Sequence, residues 1–181
     1  MTSLEITGPL ASTRARGLQY RQELEQLLAT VPPDEVVILS FDTVKAMTGS
    51  FTDEFLGKLL VAKAVGLTGR APIILTGLTD ETAEEVDLCL ERRKAVAVWA
   101  ENGTARLLGG DTALKQTFFA GAQRGTFRAS DLASDLGTTQ QNMNNRLKRL
   151  VESGALLRDR QDPAGGGREF LYRMPEIPSS R

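Results

Sequence analysis

Residues 1–110 alternate two kinds of apolar spacing. Val36-Val37-Ile38-Leu39-Ser40-Phe41 and Ala71 to Leu78 are apolar almost throughout, which suits strands buried on both faces. Between and around them, apolar residues recur three or four apart, the spacing of one helix face. Arg14 to Thr30 carries Leu18, Leu24, Leu27 and Leu28 in this way and is closed by Pro32-Pro33. Ser50 to Val65 carries Phe51, Phe55, Leu59 and Ala62, and Thr79 to Lys94 opens with Thr79-Asp80-Glu81-Thr82. Acidic residues in a first turn complement the helix dipole. Leu4 to Thr7 predicts a short first strand, and Val96–Trp99 with Ala105–Leu108 predicts a hairpin around Asn102-Gly103, a pair that tolerates positive φ. The expectation is an α/β sandwich with a mixed sheet.

From Asp111 to about residue 175 the pattern changes to three helices and a ribbon. The first helix, ended by Gly125, has Leu114, Phe118, Phe119 and Ala122 as its apolar side. Ser130 to Leu136 predicts a compact second helix with Ser130 as N-cap, and Gly137 supplies a sharp turn. Thr138 or Thr139 then caps a third helix running to Ser153, Thr138-x-x-Gln141 fitting a capping box. At about 100° per residue, Met143, Leu147, Leu150 and Val151 share one sector that must face a core. The opposite side holds Gln141, Asn142, Asn145, Lys148 and Arg149, with Thr139 and Gln140 at its border. The sole acidic residue of this helix is Glu152, whereas ordinary solvent faces mix both signs. Ala155–Arg160 and Arg168–Met174 predict two strands joined across Pro163-Ala164-Gly165-Gly166-Gly167.

Composition narrows the chemistry. With 41% apolar and 25% charged residues the 181-residue chain is ordinary for a globular protein, and its two patterns favour two domains, 1–110 and 111–175, before a flexible tail at 176–181. No apolar run reaches membrane-spanning length and the first residues lack the features of a signal peptide, so a cytoplasmic protein is expected. Cys89 is alone and histidine is absent, which excludes an intrachain disulfide, histidine catalysis and a Cys/His zinc site. Charge is uneven. Residues 1–110 hold 11 Lys and Arg against 15 Asp and Glu, residues 111–181 hold 11 against 8, and the basic half is the one with the amide-rich helix.

Two resemblances follow. Phe41-Asp42-Thr43-Val44-Lys45-Ala46-Met47-Thr48-Gly49-Ser50-Phe51-Thr52-Asp53-Glu54-Phe55-Leu56, a strand ending in Asp, a short loop and a Ser at a helix start, resembles the STAS family of anti-sigma-factor antagonists. That resemblance covers most of residues 1–110. It implies a phosphorylated hydroxyl at the loop-to-helix junction, Ser50 first and Thr48 second, although Gly49-Ser50-Phe51-Thr52-Asp53 replaces the more usual Asp-Ser-Ser-Gly. Read from the residues alone, Ser50 with Asp53 also fits a helix N-cap. Thr126 to Met174 is similar to the winged helices of MarR- and ArsR-type regulators, through Leu136-Gly137, Leu147-Lys148-Arg149-Leu150 and Ser153-Gly154-Ala155-Leu156. This implies a helix presented to a DNA major groove and a wing whose Arg158, Arg160 and Arg168 contact the backbone.

The leading expectation is a sequence-specific DNA-binding regulator, acting as a homodimer on a roughly palindromic site because one helix covers only a few base pairs. Thr139, Gln140, Gln141, Asn142, Asn145, Lys148 and Arg149 would join the three wing arginines in contacting DNA. No cofactor, metal or membrane is implied. The alternative is an antagonist-type protein-interaction switch at Ser50, Thr48 and Asp53, its winged helix serving for docking. A third reading makes Asp42, Asp53 and Glu54 a carboxylate cluster for a hard cation in an enzyme, but no phosphate-cradling loop or paired nucleophile and base accompanies it.

Overall fold

The apolar runs expected to be strands lie side by side in a single sheet. The computed structural model describes residues 2–161 and 169–177. Its first half runs β1 (Thr2–Glu5), β2 (Leu10–Ala11), α1 (Arg14–Thr30), β3 (Val37–Ser40), β4 (Ala46–Met47), α2 (Gly49–Thr52), a π-helical turn (Asp53–Gly57), α3 (Lys58–Ala64), β5 (Ile73–Thr76), α4 (Asp80–Arg93), β6 (Val96–Glu101) and β7 (Thr104–Gly109). The strand order is β1-β3-β5-β6-β7, the first four parallel and β7 antiparallel to β6. The mixed α/β sheet expected from the pattern is therefore present. Asn102 (φ 50°) and Gly103 (φ 74°) turn the hairpin.

Parallel strands added successively in one direction, with right-handed crossovers, send their connecting helices to one face. The packing agrees: Val37, Leu39, Ile73, Leu75, Ala97 and Trp99 share an apolar cluster with Leu24 and Leu28 of α1, Phe51 of α2, Phe55 of the π-helical turn, Leu59 of α3, and Val86 and Leu90 of α4. Gly17 lets α1 approach closely, since a Cβ there would lie 2.9 Å from the Phe51 carbonyl oxygen. The buried side of α1 is thus Gly17, Leu24 and Leu28. Leu18, expected on the stripe, is exposed because it stands about 100° away from Gly17 around the helix.

The alternate residues of the same strands face the other way. Ile38, Ile74, Val96 and Val98 join a second apolar cluster with Leu114, Phe118, Phe127, Leu132, Met143, Leu147, Leu150, Leu156 and Tyr172. These come from α5 (Thr112–Arg124), β8 (Thr126–Phe127), α6 (Ala129–Asp135), α7 (Gln140–Ser153) and the start and end of a ribbon, β9 (Leu157–Gln161) and β10 (Glu169–Arg173). The expected boundary at residue 110 does not separate two cores. Lys115 of α5 adds a polar tie, its Nζ 3.0 Å from Asp87 of α4, and the same carboxylate accepts the Gly109 N–H at 2.6 Å.

Other elements differ from the pattern in ways that have local causes. β8 was not foreseen; it pairs with β10 to complete a three-stranded sheet, β8-β10-β9, and stacks Phe127 on Tyr172. Nor was the two-residue pairing of β2 with β4. Arg128, not Ser130, caps α6, because Asp131 reaches back to accept the Arg128 N–H at 2.9 Å. Phe119 is 62% exposed, Leu114, Phe118 and Gly121 forming the inner side of α5 instead. Ile177 packs against the second cluster, so the chain is still attached where a tail was expected. The Pro163–Gly167 loop and residues 178–181 of that tail lie outside the described residues.

Ile74 is fully buried on the shared face. Ile74→Ala should destabilise the chain by about 2–5 kcal/mol. Calorimetry should still show one transition that removes both halves together, whereas two transitions, only one of them shifted, would mean independent cores.

Candidate nucleic-acid interface

The amide-rich helix owes its orientation to its apolar sector. Met143, Leu147 and Leu150 are fully buried and Val151 partly so. This turns Gln141, Asn145 and Lys148 directly outward, flanked by Asn142 and Arg149 on one side and Gln140 and Asn144 on the other. All seven are exposed. Thr139, also exposed, is the N-cap, its Oγ1 accepting the Asn142 N–H at 3.2 Å. The Thr138 capping box does not form. Gly154, in the left-handed conformation, closes the helix.

Electrostatics divides the cations of α7. Lys148 lies 3.8 Å from Glu152, one turn on, in a pair with both partners largely solvated; such pairs contribute little and yield readily to another anion. Arg149 lies 3.1 Å from Asp111 at the start of α5. Asp111 also caps α5 by accepting the Leu114 N–H at 2.8 Å, and these two contacts, the cap first, hold its carboxyl below the usual range. Arg146, absent from the expected set, turns toward Thr117 of α5. Asn144 was also missed; it sits beside Gln140, Oδ1 to Nε2 3.5 Å, and the same angular count that found Asn145 places it at the border.

The ribbon positions its arginines differently from a simple wing tip. Arg158 and Arg160 point to the same face of β9, opposite Tyr172 and Phe170 of β10. Arg158 stacks its guanidinium 4.6 Å from the Phe170 ring centre and borders a cleft against α3. Arg160 is exposed. Asp159 and Arg173 pair at 2.9 Å on the other face. Arg168 lies outside the described residues.

The second set of expected site residues does not assemble as the pattern implied. Thr48, not Ser50, stands at the N-cap position, without a side-chain cap bond. Asp53 cannot reach back to cap because Arg93 of α4 holds it in a bidentate pair, both oxygens at 2.8 Å. Ser50 is left exposed, its Oγ 3.3 Å from Thr48 Oγ1. Glu54 is buried and bound by Lys58 at 2.6 Å and Arg21 at 3.2 Å; the Lys58 ammonium holds its carboxyl below the usual range. Asp42 accepts from Ser40 Oγ at 2.7 Å and covers Gly77. Cations of the chain thus occupy Asp53 and Glu54, and among the described residues no group of three carboxylate or thiol side chains gathers to hold a metal. Burial pushes the Cys89 thiol up to about 11, so it stays protonated.

No protein-family model, curated protein or solved structure matches the chain. Among the described residues no helix is long and apolar enough to cross a membrane.

One buried cation meets α7 from the first half. Lys63 is 4% exposed and donates to the carbonyls of Gly69 (3.0 Å) and Ala71 (2.7 Å); a Cβ on Gly154 would lie 3.1 Å from its Cε. Burial lowers its pKa from 10.5 to about 8. Between these values the unfolded chain keeps a proton that the folded chain has released, so this group makes stability rise with pH from about 8 to 10.5. Subtracting the denaturant-unfolding profile of Lys63→Met from that of the parent should show a rise on the order of 2 kcal/mol across that window. A flat difference would place the ammonium in water.

Proposed function

We propose that the chain is a cytoplasmic, sequence-specific DNA-binding transcriptional regulator. In this reading α5, α6, α7 and the β8-β10-β9 sheet act as a winged helix-turn-helix, and the STAS-like residues 1–110 mediate dimerisation, partner binding or sensing. Its work is binding, with no catalytic step and no cofactor. The observation that carries the proposal is the outward stripe Gln141, Asn145 and Lys148, exposed along α7 and not covered by residues 1–110.

The chemistry of that stripe fits a major groove. Asn and Gln can make paired hydrogen bonds to adenine N6 and N7, and Lys suits guanine or phosphate. Lys148 and Arg149 have partners that phosphate can replace, Glu152 and Asp111, because both pairs are exposed. Thr139, Gln140 and Asn142 surround the stripe, and Arg158, Arg160 and Arg168 would supply backbone contacts. A homodimer would give two reading helices and the specificity that one lacks.

Fluorescence anisotropy with fragments of the source genome tests this directly. Affinity for the best fragment should fall with salt at a log–log slope of about −0.9 per phosphate contact. Asn145→Ala should cost about 1–3 kcal/mol on that fragment and little on random DNA, while Lys148→Ala should weaken both. Absent or salt-insensitive binding would defeat the proposal.

The exposure of Ser50 favours the second reading, a protein-interaction switch. Glu85 of α4 stands against the adjoining Gly49, where a Cβ would lie 3.0 Å from its Oε1, so we expect negative charge added at Ser50 to be repelled by it. Ser50→Glu should lower the melting temperature by about 2–4 °C and Ser50→Ala should not; equal melting of the two would remove the electrostatic basis of such a switch.

A further inference from the structure

The two halves meet at a cleft of about 680 Å³ between the end of α3 and the corner where α7 turns into β9. Three cations border it, Lys63, Arg70 and Arg158, against one carboxylate, Glu152. Two of the cations have work in the fold. Lys63 serves the Gly69 and Ala71 carbonyls, and Arg158, though exposed, stacks on Phe170 and hydrogen-bonds Tyr172. Glu152 pairs with Lys148 of the outer stripe.

Arg70 is different. It is exposed at the rim and makes no hydrogen bond, ion pair or ring contact among the described residues. The lining mixes these polar groups with apolar surface, from exposed Val65 and half-buried Val151, above buried Leu156. A cleft of this volume that offers apolar surface beside a few polar groups has the form of a small-molecule site, and the excess of cations around it favours an anion. Arg70 and Arg158 both line the cleft, and guanidinium groups suit carboxylate and phosphate oxygens through paired hydrogen bonds.

We propose that this cleft binds a small organic anion, a carboxylate or phosphate on an apolar body, with Arg70 and Arg158 holding the charged end and Val65 and Val151 the body. Such an occupant would join the loop before β5 to the exit of α7. If the DNA-reading proposal is right the anion is an effector; binding to the cleft does not depend on it and is measured without DNA.

Calorimetric titration of the full chain with benzoate, phenyl phosphate and neutral benzamide tests the site. At least one of the two anions should bind saturably at one equivalent, and benzamide should not. Arg70→Gln, an exposed change that the fold should tolerate, should weaken the anion about tenfold. Ala64→Phe, which fills the cleft without altering charge, should weaken it as well. Failure of both anions to bind, equal binding of benzamide, or unchanged affinity in both variants would overturn the proposal. Phenyl phosphate binding without benzoate, or the reverse, would assign the headgroup.

Discussion

A sheet apolar on both faces cannot stand half covered. β3, β5 and β6 each alternate inward residues between two layers, Leu39 against Ile38, Leu75 against Ile74, Ala97 against Val98. Their connecting helices all fall on one side, because strands added in sequence with right-handed crossovers leave no alternative. The remaining face must be closed by something else. The C-terminal elements close it, and everything about the placement of α7 follows from that requirement.

The ion pairs of the first half serve the same layered order on the opposite side. The π-helical turn carries one residue more per turn than its neighbours, and this presents Asp53 toward α4 and Glu54 toward α1. Gly57 makes room, since a Cβ there would meet Cys89 Sγ at 3.1 Å. Glu54 is buried where an unpaired carboxylate would be costly, so Arg21 and Lys58 are requirements of the packing rather than ornaments of the surface. The stretch from Ser50 to Glu54 is therefore largely architectural, and Ser50, at its exposed start, is the part left free of that network.

What could be read from the chain was what depends on short-range periodicity. The span of α1, the Asn102-Gly103 hairpin and the buried sector of α7 all follow from spacing within a few turns. What could not be read depends on pairs distant in sequence. Asp53 looks like a capping residue until Arg93, forty residues on, takes it. Leu18 and Phe119 look buried because a stripe's phase cannot be set to within one residue when Gly17 or Gly121 replaces a side chain on the inner face. β2, β4 and β8 are two residues each, too short for any alternation to show. The doubly apolar run Val36 to Phe41 did announce two covered faces; its second cover lay beyond the expected domain boundary.

If α7 reads DNA as proposed, that cover constrains how it is controlled. Swinging α5–α7 away from the sheet as a rigid body would expose at least Ile38, Ile74, Val96, Val98 and Leu107, all now buried in one cluster with it. At about 1.5–3 kcal/mol for each such side chain, the motion costs on the order of 10 kcal/mol, comparable to the whole stability of a domain. A hinge between halves is therefore equivalent to unfolding. Control compatible with this packing must act without opening the shared layer: by setting the spacing of two chains, by covering the outer stripe, or by small shifts of the α7 exit, where Lys63 and Gly154 are already in close approach. Of these, the third needs no partner, and it places the sensitive point at the end of the helix opposite Gln141, with the helix itself as the lever.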